Sequence, residues 1–307
     1  MAEEVQSREN PVFGRKIFFI NASFLIKEVV KNRIREREYE AYFIENWRDA
    51  KTVLAANPGS ICLINLDHVN KDSLTVIQYL NFILSCEKDE KVSSTYFGVM
   101  SSNTSPRQMN LFFFNTQLPA GYVPVSPNKD DLTETLTAIL DINGAMGRRK
   151  FIRASCDVSG SMYIKFNFNG SEVALPLVDF SSVGIACRIP EKQIESFPDN
   201  TLLSNVSLYL YGETLKISLV VLKHFERNGE YSLITILGKD TLPETRKTIR
   251  NYVFRVLENK VDGQIAAGKP DETEYSDKIG KKMIVDMDSL PASEEDTEVP
   301  TLDLEEI

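Results

Sequence analysis

The chain is short of the residues from which catalytic and metal centres are most often built. It has two histidines, His68 and His224, and four cysteines, Cys62, Cys86, Cys156 and Cys187, with no C-x-x-C pair among them. That inventory speaks against a zinc site and against a disulfide framework. Cys62 and Cys187 sit in apolar runs, where a free thiol behaves as a small buried hydrophobe. No P-loop or metal-ligand motif occurs, and neither histidine has a nucleophile or base beside it, so no enzyme, metal or cofactor is expected. No stretch approaches 18 consecutive apolar residues, which speaks against a membrane-spanning helix. The opening Met-Ala-Glu-Glu-Val-Gln-Ser-Arg-Glu-Asn has no apolar core of a secretory signal, so the expected location is cytoplasmic.

A broad basic field is missing too. The net charge of −9 is unevenly placed: residues 271–307 hold 13 acids and 3 lysines, and residues 1–270 hold 32 bases against 31 acids. The acidity therefore belongs to a tail. A nearly neutral body offers no extended surface for duplex nucleic acid, and an anionic ligand would need a local cluster of arginines.

What is present is the composition of a soluble globular protein, at a length of 307 residues that suits two domains plus tails. Residues 1–13 read as a flexible N-terminus. From 14 to 143 short apolar runs alternate with helical stretches. Strands are expected at Lys16–Ile20, Glu40–Ile44, Ser60–Leu66, Thr95–Met100 and Tyr122–Val125. Helices are expected at Ser23–Tyr39, Asn46–Ala56, Asp72–Cys86 (capped by Asp72), Gln108–Phe114 and Asp130–Ile142. This alternation implies an α/β domain, a doubly wound parallel sheet covered on both faces.

Asn143-Gly144-Ala145-Met146-Gly147 breaks the rhythm, so residues 144–150 read as a hinge. Over 151–262 the period changes to two. Strands are expected at Phe151–Val158, Ser161–Asn167, Val173–Val178, Gly184–Ile189, Val206–Tyr211, Glu213–Phe225 and Glu230–Leu237, with Asn169-Gly170 as a hairpin turn. Seven short strands without a helix between them suggest an antiparallel β-barrel, closed by one helix at Pro243–Lys260. From Gly263 to the end the chain reads as an acidic disordered tail. Its apolar residues around Lys281–Asp288 and Thr301–Ile307 are a candidate partner-binding motif.

The chemistry is concentrated where hinge meets barrel. Arg148-Arg149-Lys150-Phe151-Ile152-Arg153 is followed, after 25 residues, by Asp179-Phe180-Ser181-Ser182-Val183-Gly184. This pattern, R-x-x-x-R and then D-x-S-x-x-G, resembles that of the PilZ domain family of cyclic di-GMP receptors, over about 110 residues. The residue chemistry suits such a ligand on its own terms. A planar guanidinium can pair with guanine O6 and N7, grip a phosphate or stack on a base. Alternation in an extended chain would set Arg149 and Arg153 on one side, and Asp179 and Ser181 on another shared face. The carboxylate suits the guanine N1–H and N2–H₂ donors, and the hydroxyl a phosphate or base. Gly184 would supply positive φ or close backbone approach. The resemblance implies that the first arginines ride on a mobile switch that wraps the ligand, and that Arg148, directly before the motif, marks sites holding an intercalated pair of nucleotides.

Residues 14–143 resemble a response-regulator receiver domain, on element order and on Ala120-Gly121-Tyr122-Val123-Pro124-Val125-Ser126-Pro127. The chemistry of a working receiver is not matched. The first strand runs into Asn21-Ala22, Asn65 and not Asp67 falls at the acceptor position, and Ser126 stands where a lysine is usual, while Ser101 suits the hydroxyl position. Little remains there to hold a divalent ion. The expected protein is a cyclic di-GMP effector acting on a protein partner through the receiver-like domain or the tail, in motility or surface attachment. The rival readings are a scaffold that no longer binds nucleotide, a phosphorylated response regulator and an enzyme.

Overall fold

The computed structural model describes residues 13–69, 73–156 and 161–278. The expected flexible N-terminus through residue 12 and the tail from 279, with both of its apolar clusters, lie outside the described residues.

The first half is a five-stranded parallel sheet of β1 (Ile17–Ile20), β2 (Ala41–Ile44), β3 (Ile61–Asn65), β4 (Tyr96–Ser101) and β5 (Gly121–Pro124), in the order β2-β1-β3-β4-β5. Each residue of β1 and β3 is buried, because helices cover both faces of the sheet. One face carries α1 (Phe24–Val29), which continues through a π turn at Val30–Ile34 and a 3-10 turn at Arg35–Arg37, and α5 (Lys129–Ile142). Ile26, Val29, Ile34, Leu132 and Leu136 pack there on Ile17, Phe19, Ile61 and Leu63. The other face takes α2 (Ala50–Ala55), α3 (Val76–Glu87) and α4 (Pro106–Phe113), with Val53, Leu80, Phe82 and Phe112 against Phe18, Ile20, Cys62 and Ile64. Successive strand residues thus feed opposite cores, as the strand period of two requires. The start of α3 differs from the sequence reading. It begins at Val76, and Thr75 caps it in a reciprocal capping box with Gln78, because only a residue three before Gln78 can exchange both bonds; the expected cap, Asp72, lies outside the described residues.

The second half is an antiparallel barrel of β7 (Tyr163–Phe168), β8 (Ser171–Ser181), β9 (Gly184–Ile189), β10 (Leu202–Leu210), β11 (Glu213–Arg227) and β12 (Glu230–Leu237), closed by pairing between β8 and β9. Its core holds Ile164, Phe166, Leu175, Phe180, Ile185, Cys187, Leu208, Leu219 and Leu233. Asn169 and Gly170, both at positive φ, make the β7–β8 hairpin turn. β8 runs three residues beyond its expected end at Val178, since Asp179 and Phe180 are paired on both sides, by β9 and by the short β6 (Arg153–Ser155), and Ser181 is paired by β6.

The closing helix is longer than its sequence suggests. α6 runs Pro243–Ala267, and the chain to residue 278 then lies along the α/β domain, in place of the disordered tail expected from Gly263. Ile249, Val253 and Val256 seal the barrel core, whereas Val261 enters the α/β core with Ile265 packed against it. A glycine inside a helix costs about 1 kcal/mol relative to alanine, and burial of flanking apolar side chains outweighs that. Tyr275 finishes the strap, its ring 5.5 Å from Trp47 and 5.8 Å from Phe82, both edge-on.

Candidate functional site

The site is organised by the β8–β9 hairpin. Ser181 Oγ accepts from Val183 N and Gly184 N and donates to Gly184 O, at 3.4, 3.2 and 3.2 Å. A hydroxyl offers one donor and two acceptor sites, so Ser181, 3% exposed, is saturated by the turn it closes. As placed, it shapes the hairpin and has nothing left for a ligand, which differs from the direct role expected of it. Gly184 does not have positive φ. A Cβ there would stand 2.6 Å from Thr235 O of β12, so close approach of the neighbouring backbone is what requires glycine.

β6 lies on β8 with Arg153 opposite Ser181 and Ser155 opposite Asp179, while Ala154 and Phe180 turn into the core. Arg153 and Asp179 therefore share the outer face, with Nη1 3.9 Å from Oδ1 and side chains 48% and 32% exposed. Next to them the outer residues of β9 are Gly184, Ala186 and Arg188, paired with Ile236, Ile234 and Ser232 of β12. Ala186 is buried there, so the apolar surface on offer is the 42%-exposed Ile236 beside the half-buried backbone of Gly184. Arg188 stands at its edge, 3.1 Å from Glu230. Sequence reasoning missed Arg188, although it lies four residues after Gly184 and the strand period would have put it on the same face. Arg188 also lines a neighbouring cleft of about 600 Å³ with Leu175, Pro176, Glu191 and Tyr231.

The structure brings together Arg153, Asp179, Ser181 and Gly184, but not the first two arginines. Residues 148–152 form no strand, β6 beginning only at Arg153, so the alternation expected from Arg149 to Arg153 does not hold. Arg148 and Arg149 are exposed, and no described acid lies within ion-pair distance of either. The expected hinge is partly anchored. Gly14 N donates to Gly144 O and Met146 O, at 3.0 and 3.1 Å, and Gly14 packs against Gly147. The unanchored stretch thus begins at Arg148.

Burial pushes the Cys86 thiol up to about 12 and likewise raises Cys62 and Cys187. In the α/β domain, Asn21 Nδ2 donates to Asn65 O and His68 O, and Asn65 Nδ2 returns a bond to Asn21 O. Asp67 accepts from Ser101 Oγ at 2.6 Å, and Ser126 Oγ donates to Asp131. Among the described residues no three His, Cys, Asp or Glu side chains gather as metal ligands, and no helix is long and apolar enough to cross a membrane.

No protein-family model and no curated protein matches the chain. Solved structures do. The PilZ domain of YcgR from Escherichia coli, with c-di-GMP, is 12% identical over 38% of this chain and 96% of its own, at a TM-score of 0.34. The MrkH–c-di-GMP complex of K. pneumonia is 20% identical over 38% of this chain and 56% of its own, at 0.34, so the match spans about half of MrkH. The chemotaxis response regulator CheY4 of Vibrio cholerae is 15% identical over 41% of this chain and 98% of its own, at 0.31. A PilZ barrel and a receiver, the two architectures that the sequence resembles, are both among these likenesses.

Proposed function

We propose that the protein binds cyclic di-GMP on the outer barrel face of β6, β8 and β9 and is a signalling effector, not an enzyme. One observation carries this reading: strand register sets Arg153 beside Asp179, next to bare backbone at Gly184, with the exposed Arg148 and Arg149 immediately upstream. The Asp179 carboxylate suits guanine N1–H and N2–H₂. The exposed Ile236 side chain beside the Gly184 backbone suits a base face. Guanidinium groups at Arg149 and Arg153 suit phosphates and the O6/N7 edge. Ser181 holds the hairpin in shape. Engagement of the nucleotide changes how the α/β domain and barrel sit together, and the altered surface acts on a protein partner in motility or surface attachment. Isothermal titration with cyclic di-GMP tests the reading, and absence of binding at micromolar concentrations would refute it.

Arg148 extends the site to a nucleotide pair. A third guanidinium adds a stacking plane and a counter-charge for the second nucleotide's phosphates. Titration is expected to give about two nucleotides per chain, falling toward about one for Arg148→Leu with binding retained. A wild-type ratio near one would leave Arg148 as ordinary surface charge.

The α/β domain is a receiver in fold that does not take phosphate. Asn65 ends β3 where the acceptor carboxylate would stand, and Asn21 and Asn65 are spent tying their two loops together. After incubation with acetyl phosphate and Mg²⁺, the intact mass is expected to be unchanged. A stable gain of one phosphoryl group would overturn this.

A further inference from the structure

We propose that Glu38 is an interdomain latch that nucleotide binding must open, a regulatory device that rests on the cyclic di-GMP reading above. Glu38 ends the first helical segment of the α/β domain at φ 64°, a left-handed conformation that residues with a Cβ keep only under constraint. Its side chain is 8% exposed and takes three donors, all from the other domain. Ile152 N reaches Oε2 at 3.0 Å, while Ser182 Oγ and Arg250 Nε reach Oε1 at 2.9 and 3.0 Å.

The origin of these donors gives the contact its meaning. Ile152 lies between Arg149 and Arg153, Ser182 between Ser181 and Gly184, and Arg250 on α6. A single carboxylate of the α/β domain therefore grips both halves of the nucleotide motif and the closing helix. The arginine segment is consequently held at both ends, by Gly14 at Gly144–Gly147 and by Glu38 at Ile152. For Arg149 to swing toward Arg153 and Asp179, the peptide at Ile152 must turn and leave Glu38. A buried carboxylate stripped of one donor is poorly solvated, which weakens what remains of the domain contact. Nucleotide then loosens the α/β domain from the barrel. Because coupling is reciprocal, the docked domain lowers the apparent nucleotide affinity by the fraction of molecules that are unlatched.

The full chain is tested as wild type, as Glu38→Ala and as Arg250→Met, the last leaving the left-handed position untouched. Both variants are expected to bind cyclic di-GMP about three- to tenfold more tightly by calorimetry. Without nucleotide, their solution scattering should match that of nucleotide-bound wild type. If wild type binds but the variants bind equally or more weakly, the latch is wrong and the nucleotide reading stands. If wild type binds with no change in scattering, the latch is likewise wrong. If none of the three binds, the nucleotide reading falls and takes the coupling with it.

Discussion

Arg149→Ala and Arg153→Ala are each expected to weaken cyclic di-GMP binding by about tenfold or more, from the roughly 1.5–3 kcal/mol that a charge-assisted partner contributes. The two positions should fail in different ways. Arg153 is already in place on β6, 3.9 Å from Asp179, so its loss removes a preset contact and also leaves that carboxylate without its cation. Arg149 lies on the irregular segment and must be drawn in, so part of its contact energy is offset by ordering, about 1–2 kcal/mol for each residue fixed. The Arg153 variant should therefore lose more. Calorimetry with both variants decides this: binding as tight as wild type in either one would remove that residue from the site.

Tyr275→Ala is expected to destabilise the α/β domain by about 3 kcal/mol, within the range for truncating a buried aromatic side chain. Tyr275 is 9% exposed and fills the space between Trp47 and Phe82, and its hydroxyl reaches Asp271 at 2.7 Å and Ser85 at 3.1 Å. Asp271 is itself anchored by Lys51 at 3.1 Å. Burial opposes ionisation of Asp271, but the bonds from Thr273, Tyr275 and Lys51 prevail and hold its carboxyl down at about 2. Trp47, the only tryptophan in the chain, touches Tyr275 and so reports the loss directly. Urea unfolding followed by Trp47 emission should show a lowered midpoint. An unchanged midpoint together with unchanged emission would mean that the strap beyond α6 adds nothing to the core.

Gly263 marks where local and tertiary signals part. A glycine followed by polar and acidic residues reads as the end of structure. The helix nevertheless runs to Ala267, because Val261 and Ile265 find an apolar surface on the α/β domain, far away in sequence. The same holds at the site. Period-two patterning placed Arg153 in a strand but ended the other strand at Val178, one residue short of Asp179, and their meeting depends on the β6–β8 register. The roles of Ser181 and Gly184 likewise depended on what surrounds them: a turn that saturates the hydroxyl, and Thr235 O pressing where a Cβ would be.

The sequence by itself determined the class of each half. A strand period of two and the helical spacing of apolar residues are local properties, and so is the co-occurrence of R-x-x-x-R with D-x-S-x-x-G. Only the tertiary structure decided that α6 serves two cores and that Glu38 grips the motif from the other domain. Each of these rests on contact between residues distant along the chain. Such contacts are set by packing and register, and no local pattern encodes them.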